Sequence, residues 1–420
     1  MTSVPPSPFP PEVRLVLLSA GADGVDVARR MEPLLAAPLS WPLVFVVAER
    51  EKAVSRLHHL LQRHHEDRVP ADVLAGLGRL ARVEAFRAMV LEDRMDALLE
   101  ALASEGIQVL VLKGAALART AYPSFAERPM GDVDLRVAPA DAPGARRVAE
   151  SMGWRVAADI IEANYPESEH HHLPPMDDGT ALKLGLDLHT RLSSLWEPEG
   201  FGADDLLARS RPFPRPVSRL GAGAEEAWID KVRVPDPADL LLHVCHHFGW
   251  SHTLAFGGWK SFRDAQVLVD HPELDAEAFR ARVERARAGT LVYWTFRLAR
   301  EVAGARIPDA MVDPFAPRLP VWVRERLLRH YVSGLDGGGG ELPGGWRPWA
   351  WELGIQPDRL GVGPIRPWSN NAAFRHIRPP TPSRDGTAGG RSIGRARARM
   401  VQVLQAAHHL RWVLLGRSLP

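Results

Sequence analysis

Near residue 106 the hydrophobic period of this chain changes, and that change restricts the fold more than any other feature. Upstream, apolar residues recur at helical spacing. Val54, Leu57, Leu60 and Leu61 form one stripe in 52–68, and Leu91, Met95, Leu98, Leu99 and Leu102 form another before Gly106. Steps of three and four residues put such sets on one helix face, and a glycine past the end suits a helix stop. IQVLVL (107–112) is then continuously apolar, as in a strand buried on both faces. DVDLRV (132–137) alternates strictly, so Asp132, Asp134 and Arg136 share one face while Val133, Leu135 and Val137 share the other. In ALKLGLDLHTRL (181–192), Leu184, Leu186 and Leu188 point one way and Asp187 and His189 the other. The stretch 107–192 therefore reads as an α/β unit with a small sheet, set between helical regions.

The remaining pattern divides the chain as follows: a proline-rich leader (1–12), an N-terminal helical region (13–106), an α/β core (107–234), a helical domain (235–333), a Gly/Pro/Trp-rich irregular segment (334–390) and a basic C-terminal helix (391–420). With 45% apolar and 25% charged residues the composition is that of a globular protein, and a formal charge of +1 gives no global reason for a nucleic-acid or anionic-membrane partner. Cys245 is the sole cysteine, which excludes an internal disulfide and a cysteine zinc cluster. It sits in an apolar helical stretch and reads as buried rather than nucleophilic. The N-terminus lacks the basic and apolar regions of a signal peptide, and Pro33–Ala48 is too short and too interrupted to span a bilayer. The expected location is cytoplasmic.

Asp132, Asp134 and Asp187 carry the strongest chemical signal. Asp-x-Asp on one strand sends both carboxylates to the same side, about 7 Å apart along the backbone by strand rise. Two aspartates on a solvated strand face are common, but Asp187 also lies opposite a wholly apolar face. If the two strands are neighbours, three carboxylates converge. Like charges in one pocket raise one another's pKa, and a hard divalent cation relieves the repulsion. Mg²⁺ or Mn²⁺ takes oxygen ligands and is commonly shared with substrate phosphates during in-line transfer. LKGAAL supplies the complementary half. Lys113 and Gly114 lie where a buried strand becomes a helix, so a mobile cation, a close-approach glycine and free backbone amides coincide there. A lysine snorkelling to solvent at an ordinary strand-to-helix turn is the plainer alternative. No Walker A motif is present.

LKGAALARTAYPSFAERPMGDVDLRV, followed by LDLHTRL, resembles the bacterial family of uncharacterised nucleotidyltransferases within the DNA polymerase beta-type superfamily. The resemblance spans roughly residues 30–310 and is most specific from Val111 to Val137. It rests on Lys113 and Gly114, Tyr122, Arg128, Asp132 and Asp134, then Asp187 and His189. It implies an α+β fold with a polymerase-beta-like core and a small mixed sheet, Mg²⁺ at the three aspartates, and transfer of a nucleoside monophosphate from an NTP with release of pyrophosphate. Where most of the superfamily carries Gly-Ser, with the serine touching phosphate, this chain reads Lys113-Gly114-Ala115. Lys113, Gly114, Arg128 and His189 are then the candidate nucleotide contacts. Arg128 has an alternative as a surface partner of Glu127 or Asp132, Tyr122 reads as packing, and His189 as an orienter of Asp187, a phosphate contact or a half-buried histidine.

The acceptor side is expected to involve His172, His247, Lys260 and Asp264, with a small molecule, peptide or protein as acceptor. Adjacent histidines diverge on any regular element, and no His-Glu-x-x-His occurs, so a dedicated zinc site is not expected. Two other functions compete with the enzyme: a catalytically weak nucleotide- or partner-binding module on the same fold, and nucleic-acid binding through 391–420. That tail has six arginines and no acidic residue, but also the apolar stripe of a docking helix (Met400, Val403, Leu404, Ala407, Leu410).

Overall fold

The alternation in the two aspartate strands is realised as adjacent strands of a mixed seven-stranded sheet, in a computed structural model that describes residues 9–22, 25–158, 160, 170–193, 197–214, 228, 230–255, 257–335, 351 and 354–355. The strands are β1 (Val109–Val111), β2 (Asp132–Val137), β3 (Arg155–Val156), β4 (Met176–Asp177), β5 (Gly185–His189), β6 (Arg211–Pro212) and β7 (Val232–Val234), in the order β3-β4-β5-β2-β1-β7-β6. β2 and β5 run parallel, with Asp132 opposite Gly185, Asp134 opposite Asp187 and Arg136 opposite His189. β1 pairs antiparallel with β2 and parallel with β7. Parallel neighbours need a crossover. Between β2 and β5 the connection contains helix α7 (Ala142–Ser151), the edge strand β3 and its neighbour β4.

By contacts the chain divides into two compact units. One holds residues 48–244 and 263–287, including the whole sheet; the other holds 1–47, 245–262 and 288–420. Fourteen α-helices occur among the described residues, so the architecture is α+β.

In the sheet-bearing unit, α4 (Val54–His64) packs on the 34-residue α5 (Ala71–Ser104). The stripe read from the sequence is the buried one: Val54, Leu57, Leu60 and Leu61 of α4, and Leu91, Met95, Leu98, Leu99 and Leu102 of α5, are at most 2% exposed. Each such side chain contributes about 1.5–3 kcal/mol of burial. Pro70 precedes α5, and Gly106 (φ +74) ends it in the left-handed region, where the Ile107 amide reaches back to the Leu102 carbonyl. α5 packs on β1 and β2, and α7 on β5. Val133, Leu135, Val137, Leu186 and Leu188 are buried opposite the aspartates. IQVLVL is strand only over Val109–Val111, because the chain must turn at Leu112 to start the next helix.

In the other unit, α1 (Pro11–Leu18) begins inside the stretch read as leader. Proline at the first helical position lacks only an amide the helix would leave unpaired, and Phe9 before it is buried. Trp259 donates to Ser19, Trp351 to the Gly249 carbonyl and Trp294 to the Gly354 carbonyl. Cys245 is fully buried, its thiol pushed well up by burial, as expected of a packing residue. Among the described residues no helix is long and apolar enough to cross a membrane. The segments read as irregular (334–390) and as a basic helix (391–420) lie outside the described residues, apart from 334, 335, 351, 354 and 355.

Candidate metal and phosphate site

Parallel register alone places Asp134 beside Asp187 on one sheet face. Around them the chain gathers two nitrogen bases. Lys113 Nζ lies 2.6 Å from Asp134 Oδ1, and His189 Nε2 lies 2.8 Å from the same oxygen. Asp134, Asp187 and His189 can each offer a ligand atom with all three atoms within 4.8 Å of one another. Asp132, one pleat earlier, is exposed at the start of β2. Gly185 opposite it is a required glycine, because a Cβ there would come within 2.9 Å of the Asp132 Cβ. Gly185→Ala should therefore move the Asp132 end of β2, at a cost of about 1–3 kcal/mol from overpacking. A thermal melt reads that loss, and a Tm equal to the parent's would show that the two strands spread without penalty.

The electrostatics separate the two central carboxylates. Burial pushes Asp134 up, but the Lys113 charge and the His189 hydrogen bond outweigh it and hold the carboxyl well below the usual range. Asp187 has no such partner. Burial, then the Asp134 and Asp132 charges, push it up to about 7. His189 is fully buried and, chiefly through burial and the nearby Lys113 charge, lowered to about 4. A neutral imidazole beside a carboxylate donates from Nε2, which leaves a lone pair on Nδ1, and that atom has no hydrogen-bond partner among the described residues. Burial works against the Lys113 charge too, but Asp134 more than offsets it.

Lys113 reaches Asp134 because of its backbone. Leu112 is extended, its amide bonded to the Asp134 carbonyl, and Lys113 then adopts φ +46 as helix α6 (Lys113–Thr120) begins. A lysine in the left-handed region is strained by about 1 kcal/mol or more. Gly114 follows where a Cβ would meet Met130 Sδ at 3.3 Å and Arg128 Nη1 at 3.6 Å, so close approach explains the glycine. Lys113→Gly should raise thermal stability relative to Lys113→Ala, since both lose the amine and only glycine relieves the backbone. Equal melting temperatures for the two variants would remove the strain assignment.

Arg128 and Tyr122 are occupied elsewhere. The Arg128 guanidinium grips Asp264 through Nε and Nη2 at 2.7 and 2.8 Å and gives Nη1 to the Pro129 carbonyl. Tyr122 donates to Asp264 at 2.6 Å. All three residues are at least nine-tenths buried. The group pins the segment between α6 and β2 to helix α10 (Gly258–Val269), so Asp264 serves here as the anchor of Arg128. His172 pairs with His189 as an isolated bridge, its ring 5.5 Å from that of His189. His247 and Lys260 belong to the other compact unit, where His247 packs on His252.

Two contributors escaped the sequence reading. The His171 ring lies 5.1 Å from that of His189; the histidine run 170–172 was a visible signal, but not which member would turn inward. Arg119 of α6 binds Asp96 through both carboxylate oxygens at 3.0 Å and Glu92 at 2.9 Å, fixing α6 to α5. Nothing in the local pattern of α6 marks it.

Buried Asp134 and half-buried Asp187, in register beside the start of α6, form a carboxylate pair compatible with metal binding. The chain belongs to a family of uncharacterised nucleotidyltransferases, whose family model matches residues 37–304. Membership supports nucleotidyl transfer, and the Asp134–Asp187–His189 cluster is compatible with metal binding. No curated protein and no solved structure matches the chain.

Proposed function

We propose that the protein is a divalent-metal-dependent nucleotidyltransferase, with a polymerase-beta-like core, that moves a nucleoside monophosphate from an NTP to an acceptor hydroxyl. The observation that carries this reading is the register of β2 and β5, which sets Asp134 beside Asp187 at the start of α6. The donor set fits a hard cation. Two carboxylates and an imidazole lie within ligand reach, and burial, then the Asp134 and Asp132 charges, raise the Asp187 carboxyl in a way that a cation would relieve. A bound Mg²⁺ or Mn²⁺ would neutralise phosphate charge as the leaving pyrophosphate departs.

The chain's own residues supply the rest. Asp132, Asp134 and Asp187 would hold the cation, Asp187 would also take the acceptor hydroxyl proton, and His189 keeps Asp134 oriented. The α6 start, with Gly114 and the Lys113 amine, receives the triphosphate. Arg128 supports this through Asp264 rather than by touching phosphate itself. His172 remains a proposed acceptor-side residue, and a small molecule, peptide or protein the proposed acceptor. A reducing, cytoplasmic setting suits the lone Cys245.

The deciding experiment is NTP turnover with Mg²⁺ or Mn²⁺, read as pyrophosphate release and compared with Asp132→Asn. Metal-dependent release lost in the variant supports the transferase; nucleotide binding with no release in either protein supports the weakly catalytic binding module instead. That second reading has one observation in its favour. The Lys113 amine already sits on Asp134, so a cation must compete with a built-in positive charge.

A further inference from the structure

We propose that the chain pairs with a second copy of itself through an antiparallel contact between the two α5 helices, centred on Phe86. Among the described residues, three of the seven exposed large hydrophobics lie within two turns of this one helix: Val83, Phe86 and Met89, each more than half exposed. An ordinary soluble surface carries such residues singly. Here Phe86 and Met89 belong to a longer exposed stripe, with Val83 on its flank. Ala75, Arg79, Arg82, Phe86, Met89 and Asp93 are all exposed and follow one another at steps of four, three, four, three and four residues. That is the seam spacing of a helix meeting another helix, about 27 Å long at 1.5 Å per residue. α4 packs beside the N-terminal half of this helix, where Ala75, Arg79 and Arg82 line a groove with His58, Gln62 and Glu66, whereas Phe86, Met89 and Asp93 further along are exposed and line no part of that groove.

The stripe is complementary to itself when reversed. A two-fold axis through Phe86 sets residue 86 + n at the height of the partner copy's residue 86 − n. Arg79 then meets Asp93 seven residues either side of the axis, and both positions lie within about 20° of the seam centre at 100° per residue. Val83 and Met89 share a height three residues from the axis, and Arg82 lays its aliphatic stem beside Val90. The phenylalanines meet on the axis. A parallel pairing would oppose Arg79 to Arg79 and Asp93 to Asp93, so the charges select the antiparallel arrangement as well as the partner. Because each patch docks on its own copy, the contact closes at two chains and does not propagate. It lies at the small end of specific interfaces, and the dimer is expected to dissociate on dilution.

Sedimentation of the full chain over a range of concentrations tests this. The wild type should move from one chain mass toward two as concentration rises, and Phe86→Asp should stay at one with an unchanged circular dichroism spectrum, the site being exposed. Arg79→Asp should weaken pairing at least tenfold, and adding Asp93→Arg should restore it, a rescue that a merely structural role would not give. Phe86→Cys gives an independent readout. Because Cys245 is buried, mild oxidation should yield a dimer linked at position 86, whereas Asp204→Cys, an exposed position on another helix, should not. A wild type that stays monomeric at hundreds of micromolar, a dimer that persists in Phe86→Asp, or no linked dimer from Phe86→Cys would each overturn the proposal.

Discussion

Asp134→Ala should reduce metal-dependent pyrophosphate release by about a thousandfold or more and leave no measurable Mn²⁺ binding in the presence of nucleotide. Losing one preorganised group that stabilises developing charge typically costs a factor of 10²–10³. Asp134 does more than one such group, since it faces Asp187 in register and receives both Lys113 and His189. The metal-free variant should also be less stable than the parent. Repulsion among carboxylates suggests the opposite sign, but the Asp134 carboxyl is held well below the ordinary range. Its charge is therefore more favourable in the folded chain than in the unfolded one. Asp187 has the reverse sign. Its folded pKa, about 7, lies above the unfolded value, so ionising it costs stability progressively as pH rises from about 4 to 7. Asp187→Asn should therefore melt at a higher temperature than the metal-free parent at pH 8 while still losing metal binding. Calorimetry giving Asp134→Ala the parent's metal affinity, or melts with the two signs exchanged, would remove the assignment.

The aspartate face was legible because strand alternation is a local rule: two residues per repeat decide which side chains travel together. Val133, Leu135, Leu186 and Leu188 announced the buried face, and its complement held the carboxylates. The helical stripes of α4 and α5 were legible for the same reason. What stayed hidden depends on pairs far apart in sequence. DVDLRV gives no sign that Asp134 will sit opposite Asp187 rather than Gly185, since one pleat of slip keeps every face and changes every partner. Lys113 was visible as a cation at a strand end, but not that a left-handed backbone would fold it onto Asp134. Arg128 looked like a surface or phosphate-seeking arginine because its partner lies 136 residues away. Pattern drew a helical region over 13–106, and by contacts residues 48–106 of it group with the sheet.

The Arg128–Asp264 pair should carry the largest stability effect of any single side chain here. Among the described residues, Arg128→Ala leaves the Asp264 carboxylate, 3% exposed, with the Tyr122 hydroxyl alone to hold it. Removing one member of a buried pair strands the other without solvent, and such truncations cost about 3–5 kcal/mol. For the sheet-bearing unit, residues 48–244 and 263–287, a kcal/mol shifts the midpoint by about 2–4 °C, so the expected fall in the unfolding of that unit is about 6–20 °C. Arg128→Lys should recover only part of it. An ammonium supplies the charge, but it cannot reproduce the two parallel bonds at 2.7 and 2.8 Å together with the third to Pro129. Replacing both members with apolar residues, Arg128→Met with Asp264→Leu, should melt closer to the parent than Arg128→Ala does, because no charge is left buried. The same variants divide anchoring from phosphate contact. If Arg128 acts through the segment it pins, the double variant should retain much of the parent's KM for NTP, since Lys113 and the α6 start stay in place. A stable double variant whose KM rises a hundredfold with kcat unchanged would instead make Arg128 a direct ligand of the triphosphate.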